Sequence, residues 1–355
     1  MGELHIAAQS GCAVATGTAA VVGVAVAAAS AHRRRRADLT GRVALITGGS
    51  RGLGLLIARE FADRGARVAI CARNSEELAT ARDELAARGA DVTAVTCDIT
   101  ERADVERLVR HTVDRFGRLD IVVNNAGIIQ VGPVVDMSVE DFLAAIEVMQ
   151  LGPIYLTLEA LPHLRASPDA RLVMITSIGG KVAVPHLLPY VSAKFGAVGF
   201  SQGMRAELAG LGIRVTTVVP GLMRTGSHVR ALFTGQAGKE FSWFATGASA
   251  PLVAMDAERA ARRIVNAAVA GRAHVTTTPL AVVASRVAPL APATTARLLA
   301  VVARALPAGT GGRTSTEPGA QVAERAPSRV RSALTTLGRR AADRFQPAAR
   351  GPAAT

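Results

Sequence analysis

Tyr190 and Lys194 stand four residues apart in a chain of 355 residues that holds two tyrosines and three lysines, and Ser177 lies thirteen positions before that tyrosine. On a helix, a spacing of four puts two side chains on one face, with the ammonium beside the phenol. Such a pair can pass protons. A phenol starts near pKa ~10 and must fall by two or three units to donate and accept near neutrality, a shift worth roughly 3 to 4 kcal/mol. Two unit charges ~4 Å apart interact by about 1 kcal/mol in water and about 4 kcal/mol at an effective dielectric near 20, so one lysine suffices only in a partly dry site. The pair therefore calls for a covered pocket.

Upstream, Val43 to Thr47 reads as an apolar strand, Gly48-Gly49-Ser50-Arg51-Gly52-Leu53-Gly54 as a glycine turn, and Leu55 to Arg64 as a helix. Glycines at 48, 52 and 54 allow a tight turn and a close backbone approach to a pyrophosphate, whose charge then rests on the helix N-terminus. Strand Arg67 to Ala72 completes a βαβ unit. Alternation continues downstream: Asn74 caps a helix that runs to Gly89, Asp91 to Thr96 is a strand, and Arg102 to Phe116 is an amphipathic helix stopped by Gly117. Ile121 to Val123 is a short strand ending in Asn124. Ser138 and Asp141 open a long helix toward Leu164, and Arg171 to Thr176 and Arg214 to Val219 are further strands. Such alternation predicts a parallel sheet covered on both faces, with its ligand at the carboxyl ends of the strands.

In order and spacing, Thr47-Gly48-x-x-x-Gly52-x-Gly54, Asn124-Asn125-Ala126-Gly127, Ser177, Tyr190-x-x-x-Lys194 and Pro220-Gly221 with Thr225 resemble the motifs of the short-chain dehydrogenase/reductases across residues 41–279. The resemblance implies an α/β fold, a single Rossmann-type doubly wound parallel sheet with helices on both faces. It also implies hydride transfer between a nicotinamide and a carbonyl or carbinol carbon, with Ser177, Tyr190 and Lys194 catalytic. Tyr190 would exchange the oxygen's proton, Ser177 would orient that oxygen, and Lys194 would lower the phenol's pKa and hold the nicotinamide ribose. The cofactor residues it implies are Gly48, Ser50, Arg51, Gly52, Leu53, Gly54, Arg73, Asp98, Ile99, Asn125, Ala126, Gly127, Tyr190, Lys194, Pro220, Gly221 and Thr225. Asn124 reads as a structural link between strands.

NAD-selective sites usually carry an acid about 20 residues after the glycine turn. Here Ala72 takes that place, and Arg51 and Arg73 could clamp a 2'-phosphate, so NADP(H) is expected with NAD(H) as the alternative. The leading expectation is an NADPH-dependent reductase of an apolar or lipid-like carbonyl compound. The alternatives are an NAD-dependent alcohol dehydrogenase and a non-catalytic NADP(H)-binding sensor or scaffold. One departure stands out, since Met149 occupies the position where the family commonly carries an Asn that holds a water. A thioether donates no hydrogen bond, so any relay is expected to run through a backbone-held water or a shifted Gln150. Phe233, Phe241, Trp243 and Phe244 gather in the variable lid segment Leu222 to Ala250. They either line a substrate mouth or pack into the core. His186, four before Tyr190, reads as a satisfied loop histidine or as part of that mouth.

The flanks differ from the central domain. Residues 1–40 hold an uncharged run from Gly11 to Ala31, followed by His32 and Arg33-Arg34-Arg35-Arg36. As a helix the run would span ~31 Å, close to the ~30 Å hydrocarbon thickness, but alanine, glycine and valine make its insertion marginal. A membrane anchor with the enzyme on the cytoplasmic face and an unstructured leader are the leading readings, with export a third. Residues 280–306 form an amphipathic extension, with a helix from Ala293 to Leu306 that could meet a bilayer, the substrate pocket, a second subunit or its own domain. Residues 307–355 read as a basic, largely disordered tail with a short helix at Ser328 to Phe345.

The net charge of +13 comes mainly from flanking arginines without aromatic interleaving, which argues for anionic lipid over nucleic acid. Histidine and cysteine spacing implies no metal, and the three cysteines read as reduced thiols. The expected partners are a small-molecule carbonyl or alcohol and further copies of the chain, with membrane association through the N-terminal segment. The expected localisation is cytoplasmic.

Overall fold

In the computed structural model, residues 38–250, 253–312, 315–325 and 335–345 are described. The run from Gly11 to Ala31 and the arginine cluster lie outside them. Strands β1 (Val43–Thr47), β2 (Arg67–Ala72), β3 (Val92–Thr96), β4 (Ile121–Asn124), β5 (Arg171–Ile175), β6 (Arg214–Val219) and β7 (His274–Thr276) form one seven-stranded sheet in the order β7-β6-β5-β4-β1-β2-β3. Every pairing in it is parallel. The order reverses beside β1, which opens a crevice at the carboxyl ends of β1 and β4.

The central strands read as continuous apolar runs because both faces are covered. Ala44 and Ile46 face one cluster, with α1 (Gly52–Ala62) and α2 (Ser75–Ala87). Val43 and Leu45 face the other, with α3 (Arg102–Phe116) and the helix Gly152–Ala166. Local chemistry fixes the helix ends. The Asn74 side chain accepts from the Glu77 N–H at 2.8 Å to start α2, and Gly117 takes a left-handed φ of 75° to stop α3.

The helix opened by Ser138, whose N–H donates to the Asp141 carboxylate at 2.8 Å, is not continuous. It runs as α4 (Val139–Ile146), a π turn (Glu147–Leu151) and α5 (Gly152–Ala166). Among the described residues this run alone is long and apolar enough to cross a membrane, yet its C-terminal part packs on the sheet as a core helix. The remaining helices are α6 (Leu188–Leu208), α7 (Ala237–Ser249), α8 (Ala257–Val269), α9 (Pro279–Leu290), α10 (Pro292–Ala305), α11 (Gly319–Arg325) and α12 (Thr336–Phe345). Helix α8 packs beside α1, with Ile264 and Val265 in the same cluster.

In its described residues the C-terminal region departs in part from the expected disorder. After Pro307 the described segments Glu317–Pro318, Gly319–Arg325 and Thr336–Phe345 are folded, whereas residues 308–312 and 315–316 form neither helix nor strand and are exposed. Residues Glu317–Pro318 pair antiparallel with Leu232–Phe233, Val322 of α11 is fully buried, and Ala341 and Phe345 of α12 enter the core beside α1. Composition suggested disorder because a few apolar residues spread along a polar segment give no periodic signal. Burial depends on the surface they meet. Conversely α10, for which a bilayer, the substrate pocket, a second subunit and its own domain were the possible contacts, buries none of its residues.

Candidate active site

The glycine turn is a cradle that side chains would fill. Gly48 and Gly52 hold φ of 63° and 55°. A Cβ on Gly54 would lie 2.0 Å from the Gly48 carbonyl oxygen, and one on Gly49 would lie 2.7 Å from Ile70. These contacts draw α1 against β1 and expose backbone at the turn. No side chain caps α1, whose N-cap is Arg51, so its first-turn N–H groups are available to an anion. Ser50 and Leu53 are buried in the turn. Asn125 ties the turn to β4, its Nδ2 donating to the Thr47 carbonyl at 2.9 Å and its backbone N–H to Thr47 Oγ1 at 2.9 Å. The Ala126 N–H donates to the same hydroxyl at 3.0 Å. Asn124 turns away, donating to Thr157 Oγ1 and Met174 Sδ, and so links β4 to α5 and β5.

The other expected cofactor residues follow the carboxyl ends of β3, β4 and β6. Asp98 Oδ1 accepts from the N–H and hydroxyl of Thr100, and Ile99 packs against Gly152. Gly127 abuts Met149, where a Cβ would lie 3.3 Å from the sulfur. Pro220 follows β6 and accepts from the Ile178 N–H at 2.8 Å, while Thr278 Oγ1 would lie 2.1 Å from a Cβ on Gly221. Thr225 is buried, and its hydroxyl accepts from the Ser227 N–H. Close glycines at an uncapped helix N-terminus fit a dinucleotide.

Ser177, Tyr190 and Lys194 meet at the end of β5. Gly179 sits between the first two, since a Cβ there would be 3.1 Å from Tyr190 Cε1 and 3.5 Å from Ser177 Oγ. The serine oxygen accepts from the Gly179 N–H at 3.0 Å. Lys194 is buried, donates from Nζ to the Ile175 carbonyl at 2.9 Å, and stands 5.8 Å from the Tyr190 ring centre. Burial lowers the lysine to about 8. The expected fall of the phenol's pKa is not found. Burial pushes Tyr190 upward, opposed by a hydrogen bond with Ser177, because desolvation penalises phenolate more than one neighbouring group favours it.

Several expected contacts take other forms. Arg51 pairs with the buried Glu77 carboxylate, which Arg230 also reaches at 2.8 Å, and Arg73 stands 3.8 Å from Asp98. Phe233, Phe241 and Phe244 pack into a cluster with Val131, Leu187 and Val322, with ring centres 5.4 and 5.9 Å apart. Of the two readings of these rings, core packing applies to all three. Trp243 is partly exposed and donates to Glu240 at 2.7 Å. The same buried carboxylate lies 2.9 Å from His186 Nδ1. His186 is thus a satisfied loop histidine, though its φ of 62° is the one positive value outside glycine among the described residues. Met149 is buried against Ala145 and Ala193, beside the partly buried Tyr190. The Gln150 amide lies over Gly196 of α6, 2.4 Å from where its Cβ would be. Met149 and Gln150 both lie within the π turn, and π turns interrupt the regular hydrogen-bond ladder at functional places.

Four participants escaped the sequence reading. Gly179 and Gly180 follow Ser177 as an adjacent pair, the one available signal. Gly180 admits no side chain because a Cβ would lie 2.5 Å from the Lys194 carbonyl oxygen. Glu77 and Arg230 are 153 residues apart and carry no pattern that pairs them. A surface depression between α3 and α5, lined by Arg102, Tyr155 and Glu159, holds none of these residues.

Residues 42–232 match the short chain dehydrogenase family. The chain is 38% identical over 197 residues to "Granaticin polyketide synthase putative ketoacyl reductase 1" of Streptomyces violaceoruber, covering 54% of this chain and 72% of that protein. It is 40% identical over 188 residues to "Oxidoreductase UcpA" of Salmonella typhimurium, covering 53% and 71%. To "(2S)-[(R)-hydroxy(phenyl)methyl]succinyl-CoA dehydrogenase subunit BbsD" of Thauera aromatica it is 38% identical over 187 residues, covering 52% and 74%. With the seven-stranded parallel sheet, the glycine turn and the Ser177, Tyr190 and Lys194 cluster in place, the chain belongs to the short-chain dehydrogenase/reductases, NAD(P)-dependent oxidoreductases acting on small molecules.

Proposed function

We propose that this protein reduces the carbonyl of an apolar, lipid-like small molecule with NADPH, using Tyr190 as the proton donor. The observation that carries the reading is the meeting of Ser177, Tyr190 and Lys194 in one covered place at the strand ends. A bound nicotinamide would supply the hydride. Ser177 would hold the carbonyl oxygen, and Tyr190 would donate its proton to that oxygen as negative charge develops there. Burial keeps the phenol in its protonated form, the form from which a reduction starts. Lys194 would carry positive charge toward that oxygen and the ribose. Apolar packing beside Tyr190, from the Phe233 cluster and from Met149, excludes water and suits an apolar substrate. The ketoacyl reductase named among the relatives agrees with a carbonyl on such a chain.

The choice of NADPH rests on the missing carboxylate at Ala72 and on Arg51 and Arg73 beside the turn. Paired binding titrations with NADPH and NADH test it. Arg51→Ala/Arg73→Ala should weaken NADPH by at least about tenfold and leave NADH within about threefold, as expected when a charged clamp is lost. Tighter binding of NADH by the unaltered protein would overturn the choice. One observation favours the second reading, an NAD-dependent alcohol dehydrogenase. Glu77 already neutralises Arg51, leaving it less charge to offer a phosphate.

A further inference from the structure

We propose that α9 and α10 form a landing face for an anionic lipid bilayer. The two helices pack on each other, and α9 is rooted at the site, since it follows Thr278 beside Gly221 and packs on the Ile178–Gly180 turn. Leu280, Val283, Val287 and Leu290 form one stripe along α9, and Leu298, Val301 and Val302 form one along α10. All are exposed, Leu290 by 84% and Leu298 by 63%. Apolar surface grouped this way marks a contact, whereas single exposed leucines do not.

Charge decides the occupant. From Arg259 to Thr316 the sequence has eight arginines and no aspartate or glutamate, with Arg286, Arg297 and Arg304 on the two helices themselves. A twofold pairing with a second copy would set those cations against their own kind. An anionic headgroup layer would attract them while the stripes enter the acyl boundary. Helix α9 has 12 residues, about 18 Å, too short to cross ~30 Å of hydrocarbon, so the pair lies on the bilayer. The inference is independent of the reductase reading, because it concerns attachment and is measured without turnover.

The test uses the full chain with phosphatidylcholine vesicles, with and without phosphatidylglycerol. Amide exchange within 279–305 should slow when phosphatidylglycerol vesicles are added and stay unchanged with phosphatidylcholine alone. Leu290→Glu/Leu298→Glu/Val301→Glu should abolish that slowing and lower vesicle partition by at least about tenfold. Arg297→Gln/Arg304→Gln should weaken the dependence of partition on salt. Unchanged exchange in 279–305, or undiminished partition of the Glu variant, would overturn the proposal and assign attachment to another segment. A lipid-independent drop in oligomer size caused by the Glu variant would overturn it in favour of an interface between copies.

Discussion

The cofactor side of the sheet and the cap over Tyr190 show two ways of building one site. On the cofactor side, Thr47, Gly48, Gly52 and Gly54 lie within eight positions, and Asn125 completes the hydrogen bonding from the end of the neighbouring strand. The cap has no such local origin. Val131, Leu187, Phe233, Phe241 and Val322 reach one cluster from five segments, and Gly226 accepts the α12 backbone so closely that a Cβ would lie 2.3 Å from Ala342 Cα. The cradle is held by backbone geometry and the cap by apolar burial. They should therefore fail differently.

The sharpest division is between chemistry and binding. Tyr190→Phe should cut kcat by about a thousandfold while the NADPH titration and melting temperature stay near those of the unaltered protein. If a large share of turnover remains, the proton comes from elsewhere. Next, Val322→Asp places a charge in the fully buried cap and should destabilise by about 3 kcal/mol or more. Thermal unfolding checks it, and an unmoved midpoint would mean that the tail does not belong to the cap.

A third prediction separates the halves by pH. Burial between the tail and α7 lowers His228 to about 4 from 6.5. The unfolded chain therefore takes up this proton first as pH falls. His228 should subtract roughly 3 kcal/mol of stability between pH 6.5 and 4, in full below that window and not at all above it. Urea titrations at several pH values measure the slope, which His228→Gln should flatten. On the catalytic side, Lys194 loses its proton near 8, so kcat/KM should decline above that pH. Its contribution to stability should rise from about 8 to 10.5, since the unfolded chain keeps the proton longer. Parallel pH–rate and pH–stability profiles would display the opposite signs. The smallest expected effect is at the π turn. Gln150→Ala should lower kcat severalfold more than Met149→Ala if the amide has taken over a relay. Equal, slight effects would remove the relay.

The comparison also explains what could be read beforehand. Strands β2 and β6 and helix α3 match their expected limits because hydrophobic period and a stopping glycine are local signals. The ion pairing of Arg51 with Glu77 and the burial of the three phenylalanines were not legible, because each depends on a partner distant along the chain.

By itself the sequence determined the βαβ alternation, the glycine turn and the four-residue spacing that places Tyr190 and Lys194 on one helix. Those features rest on steric and hydrogen-bonding rules acting over a few residues. Only the tertiary structure decided that the phenol is pushed up instead of down, that Glu317–Pro318 pairs with Leu232–Phe233 of the lid, and that α9 and α10 present their apolar stripes outward. Desolvation and burial depend on which surfaces meet, and that is set by contacts between distant segments.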